Sequence, residues 1–126
     1  MEISKSNFVC ETIDGVKYWF ADTPISRRVR IPLAHLLPIY DEYPASYRNR
    51  TAAMEERALQ ETESVSFSHP LMVRGKIAGH WKRTLRSDSV MIHLFPFRKL
   101  GPTEMRAIQA AARQYGGFLK LPAKVM

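Results

Sequence analysis

Four firm positive charges crowd into one short stretch, Lys76-Ile77-Ala78-Gly79-His80-Trp81-Lys82-Arg83-Thr84-Leu85-Arg86. The stretch reads as a strand from Lys76, entered through a turn at Arg74-Gly75. On a period of two, Ile77, Gly79, Trp81 and Leu85 point one way, with Arg83 the exception, and Lys76, Ala78, His80, Lys82, Thr84 and Arg86 point the other. Alternate residues of a strand stand about 6.6–6.8 Å apart. That spacing is comparable with the separation of phosphates along a nucleic-acid strand, so Lys76, Lys82 and Arg86 can each meet a different phosphate. The chemistry on offer is neutralisation of a polyanion, with Arg74, Lys76, His80, Lys82, Arg83 and Arg86 as the candidate nucleic-acid contacts. Gly79 allows a bend or a close backbone approach. The competing reading is a solvated strand face whose lysines protect an edge.

Other reactive side chains make a weaker case. Asp41-Glu42 is an adjacent acid pair, and neighbours in an extended chain face opposite ways, so the two cannot easily share one substrate atom. A structural clamp of Glu42 with Arg48 or Arg50, or a joint role of Asp41 and Tyr43, competes with a place at a binding site. His35, His69, His80 and His93 include no pair at helical spacing, and one cysteine cannot build a structural zinc site. Cys10 has no close basic neighbour to activate it. GxSxG, phosphate-loop and dinucleotide motifs are missing from the sequence. The expectation is no catalytic set, no metal and no cofactor within this chain.

The charge is segregated. Residues 1–63 hold eight basic and ten acidic residues, and residues 64–126 hold eleven basic and two acidic, Asp88 and Glu104, so the net charge of +7 is −2 followed by +9. Asymmetry of this kind points to a nucleic-acid or membrane partner. At 126 residues, 45% hydrophobic and 25% charged, the chain reads as one domain spanning 1–126 rather than a disordered segment. No run approaches the ~18 apolar residues of a membrane span, and the first ten residues lack the order of a signal peptide. A cytoplasmic location without a membrane partner is expected.

The elements that must position these residues are mostly strands. Asn7 to Phe20 reads as a hairpin turned at Asp14-Gly15. Arg27 to Ile31 reads as a short strand, Pro32 and Pro38 exclude a helix, Leu36-Leu37 is expected to be buried, and 45–60 reads as a helical piece. Val65–Val73, perturbed by Pro70, then Lys76–Leu85 and Val90–Phe95 form an antiparallel meander. Pro102 opens a helix whose Met105, Ile108, Ala112, Tyr115 and Leu119 make one apolar stripe. Gly116-Gly117 is expected to kink or end it. The fold class is α+β, mainly β: a small antiparallel β-barrel or strongly curved sheet with a C-terminal α-helix.

Two segments carry a family resemblance. His35-Leu36-Leu37-Pro38-Ile39-Tyr40-Asp41-Glu42-Tyr43 with Tyr47-Arg48-Asn49-Arg50 resembles an LLPxYDEY pattern followed by a basic cluster. Val73-Arg74-Gly75-Lys76-Ile77-Ala78-Gly79-His80-Trp81-Lys82-Arg83 resembles a vDGrvvGtWrr hairpin, with Arg74 where the pattern often has Asp. Leu94-Phe95-Pro96-Phe97 and the helix end near Tyr115 and Phe118-Leu119 are also similar. Together, over roughly 10–120, these resemble the C-terminal β-barrel-like part of the bacterial winged-helix DNA-binding domain-containing family, which includes AlkZ-type DNA glycosylases. The motif residues are Asp41, Glu42, Tyr43, Arg48, Arg50, Gly75, Gly79 and Trp81. Members place a Gln-x-Gln or Gln-x-Asp pair upstream, and Gln60, Gln109 and Gln114 have no such partner.

The resemblance implies DNA as partner, alongside a winged-helix protein or winged-helix domains absent from this chain. The leading expectation is an accessory module that contacts the phosphate backbone without reading sequence. Three to five contacts give log affinity a slope against log salt of roughly −3 to −4.5. The first alternative is an interaction module packing on a winged-helix partner through Leu36, Leu37, Tyr40 and Tyr43. The second is a glycosylase in its own right, with Asp41 and Glu42 the only acids available to it.

Overall fold

The computed structural model describes residues 8–23, 30–42, 53–54 and 69–126. The expectations for Arg27–Val29, for most of 45–60, for 65–68 and for Tyr43, Arg48 and Arg50 lie outside these residues. The chain divides into two compact units, Met1–Arg30 and Ile31–Met126.

The first unit contains the hairpin. Strands β1 (Phe8–Ile13) and β2 (Val16–Ala21) pair antiparallel, with Ile13 opposite Val16 and Phe8 opposite Ala21. Asp14 and Gly15 both take positive φ, 50° and 78°, as a type I′ turn requires. Val9, Ile13, Val16, Tyr18 and Phe20 share one face by this register. Trp19, on the other face, is 68% exposed.

The second unit is a strongly curled half-barrel sheet with one helix. Its strands are β3 (Ala34–Leu36), β4 (His69–Val73), β5 (Lys76–Leu85), β6 (Val90–Pro96) and β7 (Ala123–Val125), hydrogen-bonded in that order. Helix α1 spans Pro102–Leu119. Pairing is antiparallel from β3 to β6, and β7 runs parallel to β6. The chain therefore makes a β6–α1–β7 crossover, because parallel neighbours cannot be joined by a tight turn. Sequence pattern missed β7, which is too short to show an alternation, and β3, which lies between two prolines. Met54 makes an isolated parallel bridge to Ile77, so the chain is extended at this point of the expected helical piece.

The core lies between sheet and helix. Leu71, Val73, Ala78, Trp81, Val90 and Ile92 pack against Ile108 and Ala112, with Met105, Tyr115 and Leu119 completing the predicted stripe. Each large side chain fully removed from water contributes about 1.5–3 kcal/mol. A smaller cluster, Met54 and Ile77 with Leu37, Met72 and Phe97, forms separately. Leu36 and Leu37 are half-buried.

α1 does not stop at Gly116. A Cβ there would meet the Leu121 carbonyl oxygen at 2.5 Å and the Ala123 Cβ at 2.9 Å, so the glycine lets the returning chain and β7 pass against the helix. The helix ends at Lys120, with left-handed backbone (φ 56°) and Leu121 N–H donating to the Gly116 carbonyl at 2.9 Å.

Candidate nucleic-acid interface

The β4–β5 register decides where the basic side chains go. Leu71 faces Gly79 but Met72 faces Ile77, which leaves Ala78 as an extra residue in β5. This β-bulge reverses the alternation of faces. Ala78, expected beside Lys82, is fully buried in the main core with Trp81, and Ile77, expected beside Trp81, belongs to the other cluster. Lys76 pairs with Val73, so it shares the helix-covered face and not that of Lys82. The single basic face expected from Lys76 to Arg86 is thus two, divided by the bulge.

His80, Lys82 and Thr84 lie on the face of β5 away from α1, opposite Phe95, His93 and Met91 of β6. The His80 ring stacks on Phe95 with centroids 4.9 Å apart. The Lys82 ammonium lies 5.6 Å from the centre of the Phe95 ring, and Thr84 Oγ1 is 3.3 Å from His93 Nε2. Arg86 follows the end of β5, its N–H donating to the Ser89 carbonyl. Lys82 and Arg86 are exposed, and no described carboxylate pairs with either.

Arg83 and Arg74 belong to the helix side. Arg83 donates to the Tyr115 hydroxyl, and its guanidinium stands 5.9 Å from that ring's centre. His69, close to Trp81, is held below the usual histidine pKa, first by burial and second by the Arg83 charge, so it is neutral at physiological pH. Arg74, at φ 53° in the turn with Gly75, reaches Glu104 at 3.4 Å.

Glu104 is the residue that the sequence reading missed. It sits third in α1 and accepts from Arg98 Nη1 at 2.8 Å, Arg98 Nη2 at 3.0 Å and the Gly101 N–H at 2.9 Å. The Arg98 hydrogen bonds, and after them that of Gly101, hold its carboxyl at about 2. A Gly-Pro-x-Glu start to the apolar stripe was the available signal, since a Glu at this position satisfies the first helical N–H groups. One of the two acids in the basic half is thereby committed to structure, and the remaining cations keep their charge.

The two motif segments meet. The Trp81 indole donates to the Leu37 carbonyl at 2.9 Å, and the Leu37 N–H donates to the Pro70 carbonyl at 3.0 Å. At Gly79 a Cβ would stand 2.5 Å from the Phe95 carbonyl oxygen, so this glycine serves close packing of β6 on β5. Tyr40 takes a left-handed φ of 59°, rare for a bulky residue. Asp41 is half-buried and Glu42 exposed. One cleft, of about 480 Å³, runs along Leu33–Leu37, Ala107, Ala111 and Tyr115. A second, of about 380 Å³, adjoins it at His69, Trp81, Arg83 and Phe118. Among the described residues neither is lined by a carboxylate, and the amide of Gln114 lines the first. Among the described residues, no group of three His, Cys, Asp or Glu could hold a metal, and no helix is long and apolar enough to cross a membrane.

The sequence profile of the AlkZ-like family, described as DNA glycosylase AlkZ-like, matches residues 7–118. The chain belongs to this family. The AlkZ-like match encloses both motif segments, and with them the Trp81–Leu37 contact and Gly79. Among solved structures, Streptomyces sahachiroi DNA glycosylase AlkZ superposes with a TM-score of 0.61 over 95% of this chain, at 16% identity. At that identity the likeness is one of fold. The chain spans 34% of the AlkZ chain. No curated protein matches it.

Proposed function

We propose that this chain is a DNA-binding module of the AlkZ-like glycosylase family, one that grips the phosphate backbone and leaves base chemistry to other parts of the system. The observation that carries the reading is the pair Lys82 and Arg86. Both are exposed, on or just beyond the open face of the sheet, and no described acid opposes them. Arg83, Lys76 and Arg74 extend the positive potential around the β4–β5 turn and the helix side. His80 acts beneath them, stacking on Phe95 and setting the platform over which Lys82 lies.

A second reading, a module that packs on a winged-helix partner, draws support from exposed apolar groups. Tyr40 is 69% and Phe118 83% exposed, beside the clefts that Leu36 and Leu37 line. One experiment separates the two. Duplex DNA of arbitrary sequence is titrated with wild type and with a Lys82→Glu/Arg86→Glu double variant across a range of salt. The DNA-binding reading expects the variant to lose affinity at low salt and to show a salt slope flatter by about 1.8, from ~0.9 for each phosphate released. Binding equal to wild type at low salt overturns it and leaves the packing reading.

A further inference from the structure

The outer surface of α1 presents a second, separate run of cations. Arg106, Gln109, Arg113, Gly117 and Lys120 are all exposed. At 3.6 residues per turn the four within the helix, Arg106, Gln109, Arg113 and Gly117, fall within ~80° of one another, and Lys120 follows as the left-handed residue that ends it. Their centre lies about 120° from that of the residues α1 buries, Glu104, Ile108, Ala112 and Gly116. The helix carries one acid, Glu104, and that carboxylate is turned inward onto Arg98 and the Gly101 N–H. The ridge therefore has no negative charge of its own. Arg106 donates to the Thr103 hydroxyl at 3.3 Å, and no described carboxylate pairs with it.

The exposed side chains are of the kinds that contact a phosphate backbone. Arg106 and Arg113 are seven residues apart, which places them about 10.5 Å apart along the axis, and Lys120 follows at the left-handed helix end. Gln109 lies between the first two cations and adds a neutral donor of the kind that also binds phosphate oxygens. Gly117 lies between the last two, where nothing stands within 4 Å of a Cβ position. Its bare backbone leaves room for close approach.

We infer that this ridge is a second DNA-backbone contact surface, distinct from Lys82 and Arg86. α1 covers the sheet face that bears Trp81 and Ile92, whereas Lys82 lies on the opposite face. The ridge and Lys82 therefore look away from each other across the two layers. One straight duplex cannot lie against both, so the two surfaces hold separate stretches of backbone, on DNA curved around the module or on two segments.

This inference rests on the DNA-binding reading, and the test keeps the two apart. The full chain carrying Arg106→Gln/Arg113→Gln, a change neutral for helix formation, is titrated with a long duplex across salt. Wild type and the Lys82→Glu/Arg86→Glu variant are run alongside, and circular dichroism checks the fold of each. The ridge variant should flatten the slope by about 1.8, and a quadruple variant should lose both contributions. A ridge variant with the wild-type slope, in a protein that binds DNA through Lys82 and Arg86, overturns the ridge alone. Absence of DNA binding by wild type overturns both.

Discussion

Removing the charge of Glu104 should uncouple the fold's stability from acid. Its carboxyl titrates at about 2 instead of the ordinary 4.5, mainly through Arg98. At about 1.4 kcal/mol per pH unit, this difference corresponds to roughly 3 kcal/mol of stability at neutral pH. Glu104 is 7% exposed, so solvent removes little of that, whereas the Arg74 side chain is 62% exposed and adds little. A carboxylate whose pKa is lowered by folding stabilises above its unfolded value, and the contribution is lost as pH falls through the folded value. The window therefore runs from about pH 4.5 down to about 2, and at pH 2.5 only about 1 kcal/mol remains. Glu104→Gln should be less stable than wild type by up to about 3 kcal/mol at pH 7, with the gap narrowing to about 1 kcal/mol at pH 2.5. Urea titrations followed by circular dichroism at pH 7, 3.5 and 2.5 measure it. A gap of equal size at all three pH values, or none at pH 7, would refute the reasoning.

Adjacent glycines should respond with opposite signs. Gly116→Ala should lower the melting temperature, by a cost of about 1–3 kcal/mol, because its Cβ meets the Leu121 carbonyl and Ala123. Gly117→Ala meets nothing and should raise it, gaining about 0.5–1 kcal/mol of helix propensity. Trp81→Phe removes the indole donor to the Leu37 carbonyl and should cost about 1–3 kcal/mol. Faster hydrogen exchange at the Leu37 amide, which bonds to Pro70 just beyond β3, would show the 31–42 segment loosening.

Much of this architecture was legible because its signals are local. Asp14-Gly15 and Arg74-Gly75 take the positive φ that their types allow, and each sets a hairpin. Pro102 and the spacing from Met105 to Leu119 mark the helix. The hidden parts depend on contacts distant in sequence. The bulge at Ala78 exists because β4 and β5 settle out of step between Leu71 and Met72, and Gly79 signals a bend or close approach without saying which residue is the extra one. It moves Lys76 off the Lys82 face, so period-two counting along β5 holds from Gly79 onward and fails before it. β7 and the role of Gly116 are coupled: the glycine looks like a helix breaker until the returning strand shows why a side chain cannot fit. In the sequence Glu104 is one of two acids in a basic half, and its value to the fold comes from Arg98 and the helix start.

The most direct test of the central claim is the salt dependence of duplex binding by the full chain, measured by fluorescence anisotropy from low to physiological salt. Contact with three to five phosphates predicts log affinity falling against log salt with a slope between about −3 and −4.5, largely independent of base sequence. No measurable binding at low salt, or a slope near zero, would contradict it.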